Sequence, residues 1–240
     1  MKDISVIIPI YRTQLRPFEQ AALDNNIKKF SRRDIVILKP EGLDTSQLEQ
    51  RYPMVRTVDV SSQWLGTQNG IAGYNEMMLS KSFYEMFADS RYILICHLDA
   101  WIFRDDLDHW TSQGYDIVAA PWLAPRVRMP FAHVPPKNRI GNGGLSLRRV
   151  EACITACDTY ADTIDRYHSL DDHLHNEDVF WAVEPKAFRY PDVKTAVAFA
   201  IDVQPRRCYR LNGNRLPMGC HDFDKPSRRR FWRQFFPIPE

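Results

Sequence analysis

The chain has no C-x-x-C pair, and its five cysteines, Cys96, Cys153, Cys157, Cys208 and Cys220, are odd in number and scattered. That excludes a disulfide framework and a small thiolate metal site, so reduced thiols and a cytoplasmic location are expected. No apolar run approaches the length of a membrane span. Met1 is followed within two residues by a strand-like segment rather than a basic and then apolar leader, so no secretory signal is expected. Charge of one sign is also missing: 32 basic and 30 acidic residues leave a net +2, without the global basic field that nucleic-acid binding needs. There is no internal repeat, low-complexity tract, P-loop or G-x-G-x-x-G fingerprint. What remains is 240 residues, 44% hydrophobic and 12% aromatic, enough to build one large domain around a substantial core.

Short β-branched runs alternate with helical spacing. Ile4 to Tyr11 reads as a strand that Pro9 helps to end, and Gln14 to Phe30 as a helix. Asp34 to Pro40 and Val55 to Val60 read as further strands, Gly70 to Phe87 as a helix, and Tyr115 to Ala120 as a strand stopped by Pro121. Such alternation predicts an α/β protein with a mainly parallel central sheet flanked by helices. The proline-rich stretch Pro121 to Asn138 reads as a long irregular loop, Val150 to Tyr167 as a helix, and Asn176 as the start of another. Residues 1–225 are expected to form one domain, with 226–240 a basic and aromatic extension.

Tyr92 to Phe103 carries an apolar run into a lone carboxylate, Asp99, in His97-Leu98-Asp99. A buried strand has no use for that charge. Asp99 therefore either caps the following turn or opens into a site at the carboxyl end of a strand, where open α/β sheets bind ligands. With His221 it could hold a divalent cation, the imidazole favouring manganese over magnesium; otherwise His221 is a satisfied loop histidine. Gly141, Gly143 and Gly144 form either a bulge or a place where backbone approaches a ligand closely. Glu177 and Asp178, following Asn176, complement a helix start or supply a general base.

In this order the motifs resemble the GT-A-type nucleotide-diphospho-sugar glycosyltransferases, and in particular a bacterial branch linked to surface-polysaccharide synthesis. The resemblance covers Ile4 to about Lys225. It implies a Rossmann-like GT-A fold and transfer of a sugar from a nucleotide-diphosphate donor, a UDP-sugar foremost, to a glycan or lipid-linked acceptor. It also implies that Pro9, Ile10, Tyr11 and Arg12 after the first strand, and Tyr74 and Asn75 in the helix beyond Gly73, contact the nucleotide. His97-Leu98-Asp99 occupies the place of the family's D-x-D motif, which makes Asp99 a metal ligand and puts His97 where an acid normally meets the ribose. His221 is similar to the family's late metal-binding histidine, and the cofactor implied is Mn2+ or Mg2+. Gly143 and Gly144 resemble the acceptor-side strand, and Asp178, then Glu177, the catalytic base of inverting members. The second strand ends in Lys39-Pro40-Glu41-Gly42 rather than an Asp-Asp-Gly-Ser-like sequence, which leaves base recognition open.

The segment 227–237 concentrates arginines with Phe231, Trp232, Phe235 and Phe236. It would either lie on the inner face of an anionic membrane as a peripheral contact or dock its aromatic strip on the domain with the arginines facing water. Two other functions fit the same architecture: a non-catalytic nucleotide-sugar or glycan-binding protein, which His97 makes conceivable, and a sugar-phosphate nucleotidyltransferase. The latter expects a glycine-rich signature with a basic residue after the first strand, and Tyr11-Arg12-Thr13-Gln14 does not supply it.

Overall fold

The computed structural model describes residues 2–66, 68–123, 139–170 and 175–240. Strand β1 (Lys2–Pro9) leads through helix α1 (Pro17–Lys29) to β2 (Asp34–Pro40), and α2 (Ser46–Arg51) leads to β3 (Arg56–Val60). Helices α3 (Gly70–Met78) and α4 (Lys81–Glu85) precede β4 (Ser90–Cys96). After β5 (Trp101–Ile102) and α5 (Leu107–Ser112) come β6 (Ile117–Ala119), β7 (Pro121–Trp122), β8 (Arg139–Ile140) and β9 (Leu145–Arg149). The chain continues through α6 (Val150–Thr159), α7 (Ala161–His168), α8 (Glu177–Val183), α9 (Val193–Phe199) and β10 (Ala200–Ile201). It ends with α10 (Pro205–Leu211), β11 (Gly219–Cys220) and α11 (Pro226–Trp232).

Six strands pair in the order β3-β2-β1-β4-β9-β6. The first four are parallel, with Ile7 opposite Val36 on one side and Ile95 on the other. Their unbroken apolar runs follow from burial on both faces. In β1, Ile4, Val6 and Ile8 enter one core cluster while Ile7 enters the other, and in β4 Tyr92, Leu94 and Cys96 divide from Ile93 and Ile95 in the same way. The sheet is therefore mainly parallel, as expected, with β9 inserted antiparallel between β4 and β6.

Two expected helices are each broken in two. The chain between Gly70 and Phe87 turns at Ser80, whose backbone is extended (φ −89°, ψ 129°), so that Phe83, Tyr84 and Phe87 enter the core from a new direction. Val150 to Tyr167 breaks at Tyr160, which joins α6 to α7. The loop expected over Pro121 to Asn138 begins instead as β7, which pairs with β8; residues 124–138 lie outside the described ones.

A second, three-stranded sheet in the order β10-β11-β5 positions the site. Cys220 pairs with Trp101 antiparallel, so the next residue, His221, is carried back beside the turn that holds Asp99. The C-terminal segment covers this sheet. Phe231, Trp232 and Phe236 are buried in a cluster with Phe18, Ala22 and Phe223, and Phe236 stacks on Trp101 at 4.2 Å between ring centroids. The aromatic strip is thus docked on the domain. Its arginines do not all face water, because Arg228 turns inward to Asp202 and Asp222. No described helix is long and apolar enough to cross a membrane.

Candidate active site

β4 ends at Cys96, and the turn that follows is fixed from two sides. The His97 backbone N–H donates to Gly144 O at 2.9 Å. From α1, the buried Asn26 donates to Ala100 O at 2.7 Å and accepts from the Ile102 N–H at 3.0 Å. Asp99 is presented on this turn, and His221 meets it, with Nε2 3.1 Å from Asp99 Oδ1. The His97 ring stands edge-on to His221 at 5.6 Å and shares a 2.7 Å hydrogen bond between Nε2 and Tyr74 Oη.

Charge at this cluster is strongly coupled. Burial alone would lift the Asp99 carboxyl, but the His221 charge outweighs it and holds the group well below the usual carboxylate range. Burial works against a charged His221, yet Asp99, with Asp202 and Asp222 behind it, pushes that imidazole up to about 9. His97 moves the other way, to about 4, through burial and then the neighbouring His221 charge. His97 is consequently a neutral imidazole at physiological pH.

The donor set fits a hard or borderline divalent cation. His97, Asp99 and His221 can each direct one ligand atom to a common point, as can Asp99, Asp222 and Asp224. Both ring nitrogens of His221 are buried and flanked by carboxylates, Asp99 at Nε2 and Asp202 at Nδ1, and a cation entering the site would take the place of the imidazole's proton. The 3.1 Å separation of Nε2 and Oδ1 also suits adjacent ligands on one ion held at about 2.1 Å. Behind His221, Asp202 Oδ1 lies 3.9 Å from Nδ1. Asp202 is itself held by Asn142 at 2.9 Å and by Arg228.

The glycine segment joins this cluster to a second one. A Cβ on Gly144 would fall 2.0 Å from His221 Nε2, and one on Gly143 would fall 2.0 Å from Glu177 Oε1. The two glycines are small because imidazole and carboxylate press on them from opposite sides. Glu177 is buried and paired to the equally buried Arg148 at 2.9 Å. Arg148 also donates to Tyr84 Oη at 2.9 Å and, through Nε, to Ser146 Oγ at 3.0 Å. Asn75 fixes the start of α8, donating to Asn176 Oδ1 at 3.0 Å and accepting from the Glu177 N–H at 3.2 Å. Asp178, next in line, has no ion pair among the described residues, and its carboxyl is pushed up to about 7 by burial and by the Glu177 charge.

A cavity of about 540 Å³ opens from Asp99. Pro9, Tyr11, Tyr74 and His97 line it with Asp99, and Leu65 and Ile71 are also part of its wall.

A family profile described as "Protein of unknown function (DUF5672)" matches residues 55–221. The chain belongs to the DUF5672 family. No protein of curated function matches the DUF5672 chain by sequence. Its fold is that of the GT-A-type glycosyltransferases. An active-site mutant of LgtC is similar with a TM-score of 0.61 at 11% identity, covering 98% of each chain. Mouse xyloside xylosyltransferase 1, in its apo form, gives 0.55 at 10% identity over 99% of each chain. A glycosyltransferase involved in glycosylation of the major capsid of PBCV-1 gives 0.51 at 10% identity, covering 97% of this chain and 99% of its own.

Within the DUF5672 chain, Asp99, His97 and His221 come together at one point, and Gly143, Gly144, Glu177 and Asp178 come together beside it. The residues expected at the nucleotide divide. Pro9, Tyr11 and Tyr74 line the cavity, whereas Ile10 is fully buried in the core. Arg12 is turned onto Tyr11 and Glu19, and Asn75 is committed to α8. Sequence reasoning missed Asn26, Arg148, Asp202 and Arg228. Arg148 shares its short strand with Ser146 and Arg149, so its charge did not stand out.

Proposed function

We propose that the chain is a glycosyltransferase that takes a sugar from a nucleotide-diphosphate donor, a UDP-sugar foremost, and delivers it to a hydroxyl of a glycan or lipid-linked acceptor. The observation that carries this reading is the contact of His221 with Asp99, a residue of the cavity wall, with Gly143 and Gly144 linking them to Glu177 and Asp178. Asp99 and His221 would hold Mn2+ or Mg2+, with His97 as a third, neutral donor; a bound cation supplies stabilisation of the negative charge that develops on the departing diphosphate.

The remaining chemistry belongs to the chain's own residues. The bond from the anomeric carbon to the diphosphate oxygen breaks with its electron pair leaving on the nucleotide, and the sugar becomes oxocarbenium-like. The acceptor oxygen forms the new bond from the opposite face, and its proton passes to Asp178. Asp178 suits that role better than Glu177, because Glu177 is locked to Arg148 whereas Asp178 is half-buried, has no ion pair among the described residues and is near neutrality in pKa. Inversion at the anomeric carbon follows. Five free, buried cysteines support action in a reducing, cytoplasmic compartment.

A test is release of nucleoside diphosphate from a panel of nucleotide sugars, with the product anomer read by NMR. Inverted product, lost in Asp178→Asn, supports the assignment; retained configuration removes Asp178 from the base role. The reading as a non-catalytic nucleotide-sugar binder draws on His97, bonded to Tyr74 where an acid is usual. Metal-dependent nucleotide binding without any turnover would favour it.

A further inference from the structure

Glu19 in α1 is buried, yet two guanidinium groups converge on it. Arg12 Nη2 donates to both of its oxygens, at 2.7 and 2.8 Å. Arg16 Nη2 donates to Oε1 at 2.7 Å, and the Arg16 backbone N–H to Oε2 at 2.8 Å. One carboxylate therefore serves two cations and leaves a net positive charge. Which arginine carries the surplus is decided by geometry. Arg12 spends Nη2 on Glu19 and Nε on Gln14 O at 3.3 Å, and its Nη1 donates to Tyr11 Oη at 2.6 Å with the guanidinium over the Tyr11 ring. Arg16 makes a single side-chain hydrogen bond among the described residues, rests over Phe18 at 4.4 Å, and keeps 56% of its side chain exposed.

Arg16 lines the same cavity as Asp99, and it is the one arginine or lysine among the described residues that do so. The rest of the wall is neutral or acidic: Tyr11, Leu65 and Ile71 can face a nucleobase, but none can answer a phosphate charge. The charges of Asp99 and Asp224 also reach Arg16. Its guanidinium faces the same cavity as Asp99, with most of its N–H donors unspent among the described residues and a planar fork suited to phosphate oxygens.

We propose that Arg16, steered by Glu19, binds the diphosphate of the donor beside the Asp99–His221 site. This rests on the donor reading above. Glu19 also lines the cavity, but both of its oxygens are taken by Arg12 and Arg16, so its part is to position Arg16.

The test is calorimetric titration of the full chain, with Mn2+, by UDP, GDP, CDP and ADP, followed by the nucleoside of whichever binds best. Arg16→Gln is expected to raise the Kd of that diphosphate roughly tenfold or more, the worth of a charge-assisted hydrogen bond, and to leave nucleoside affinity within about twofold. Arg16→Lys should recover part of the loss. Arg32→Gln, which removes a charge at an exposed position outside the cavity, should change nothing. Melting curves establish that each variant is folded. If the wild-type chain binds a diphosphate and Arg16→Gln binds it equally well, or if nucleoside and diphosphate weaken together, Arg16 has no phosphate role. If the wild-type chain binds none of the four, the donor reading itself fails and this assignment falls with it.

Discussion

Gly144 and His221 are in such close register that a Cβ on residue 144 would fall 2.0 Å from His221 Nε2. Real Cβ atoms do not approach other atoms so closely, and a ring held between Asp99 and Asp202 has little room to swing. Gly144→Ala is therefore expected to displace the imidazole from Asp99 and to weaken Mn2+ binding by at least tenfold. Titration monitored by the EPR signal of free Mn2+ reads this directly; an unchanged Mn2+ affinity would separate His221 from the cation.

Asp178 should govern the acid limb of the rate profile. Burial and Glu177 raise its pKa from 3.8 to about 7, and a general base works only when ionised. Below pH 7, kcat/KM should fall about tenfold per unit. The stability consequence has the opposite sense. Between about 4 and 7 the folded state holds the proton more tightly than the unfolded state, so this group's contribution declines as pH rises through that window. Asp178→Asn should then be nearly inactive yet no less stable than wild type at pH 8. A variant that is active, or markedly destabilised at pH 8, would return Asp178 to a structural role.

Its neighbour should behave differently. Arg148→Met leaves the buried Glu177 carboxylate unpaired and should cost about 3–5 kcal/mol of stability, measured by urea unfolding. A cost under about 1 kcal/mol, the level of an exposed ion pair, would show that the Arg148–Glu177 bond is not what holds β9 to α8.

The C-terminal helix is expected to act through packing. Trp232 is fully buried, so Trp232→Ala should cost about 3–5 kcal/mol. Sedimentation with anionic vesicles should be unaltered in any variant that remains folded. A loss of vesicle binding without a loss of stability would mean that the aromatic strip leaves the domain to meet a membrane.

Much of the fold was readable because its signals are local. β1, β2 and β4 announce themselves as continuous apolar runs, since each is buried on both faces, and Asp99 stands out against such a run. The breaks at Ser80 and Tyr160 were not readable, because apolar residues on both sides keep a helical spacing while tertiary packing redirects the chain. The polar supports were hidden for another reason. Asn26 reaches Ala100, Asp202 reaches Asn142 and Arg228, and Arg148 reaches Glu177, all across long stretches of sequence. Such pairings leave no periodic trace. Arg12 and Arg16 look alike in sequence, and only their unequal claims on Glu19 tell them apart.

The most direct measurement is the rate of nucleoside diphosphate release from a panel of nucleotide sugars by wild type with Mn2+, by wild type with EDTA, and by Asp99→Ala. A divalent cation held by Asp99 and His221 predicts release that requires Mn2+ and falls by at least about two orders of magnitude in Asp99→Ala, the scale of losing a charge-stabilising group. Release at the wild-type rate in Asp99→Ala or in EDTA would contradict it.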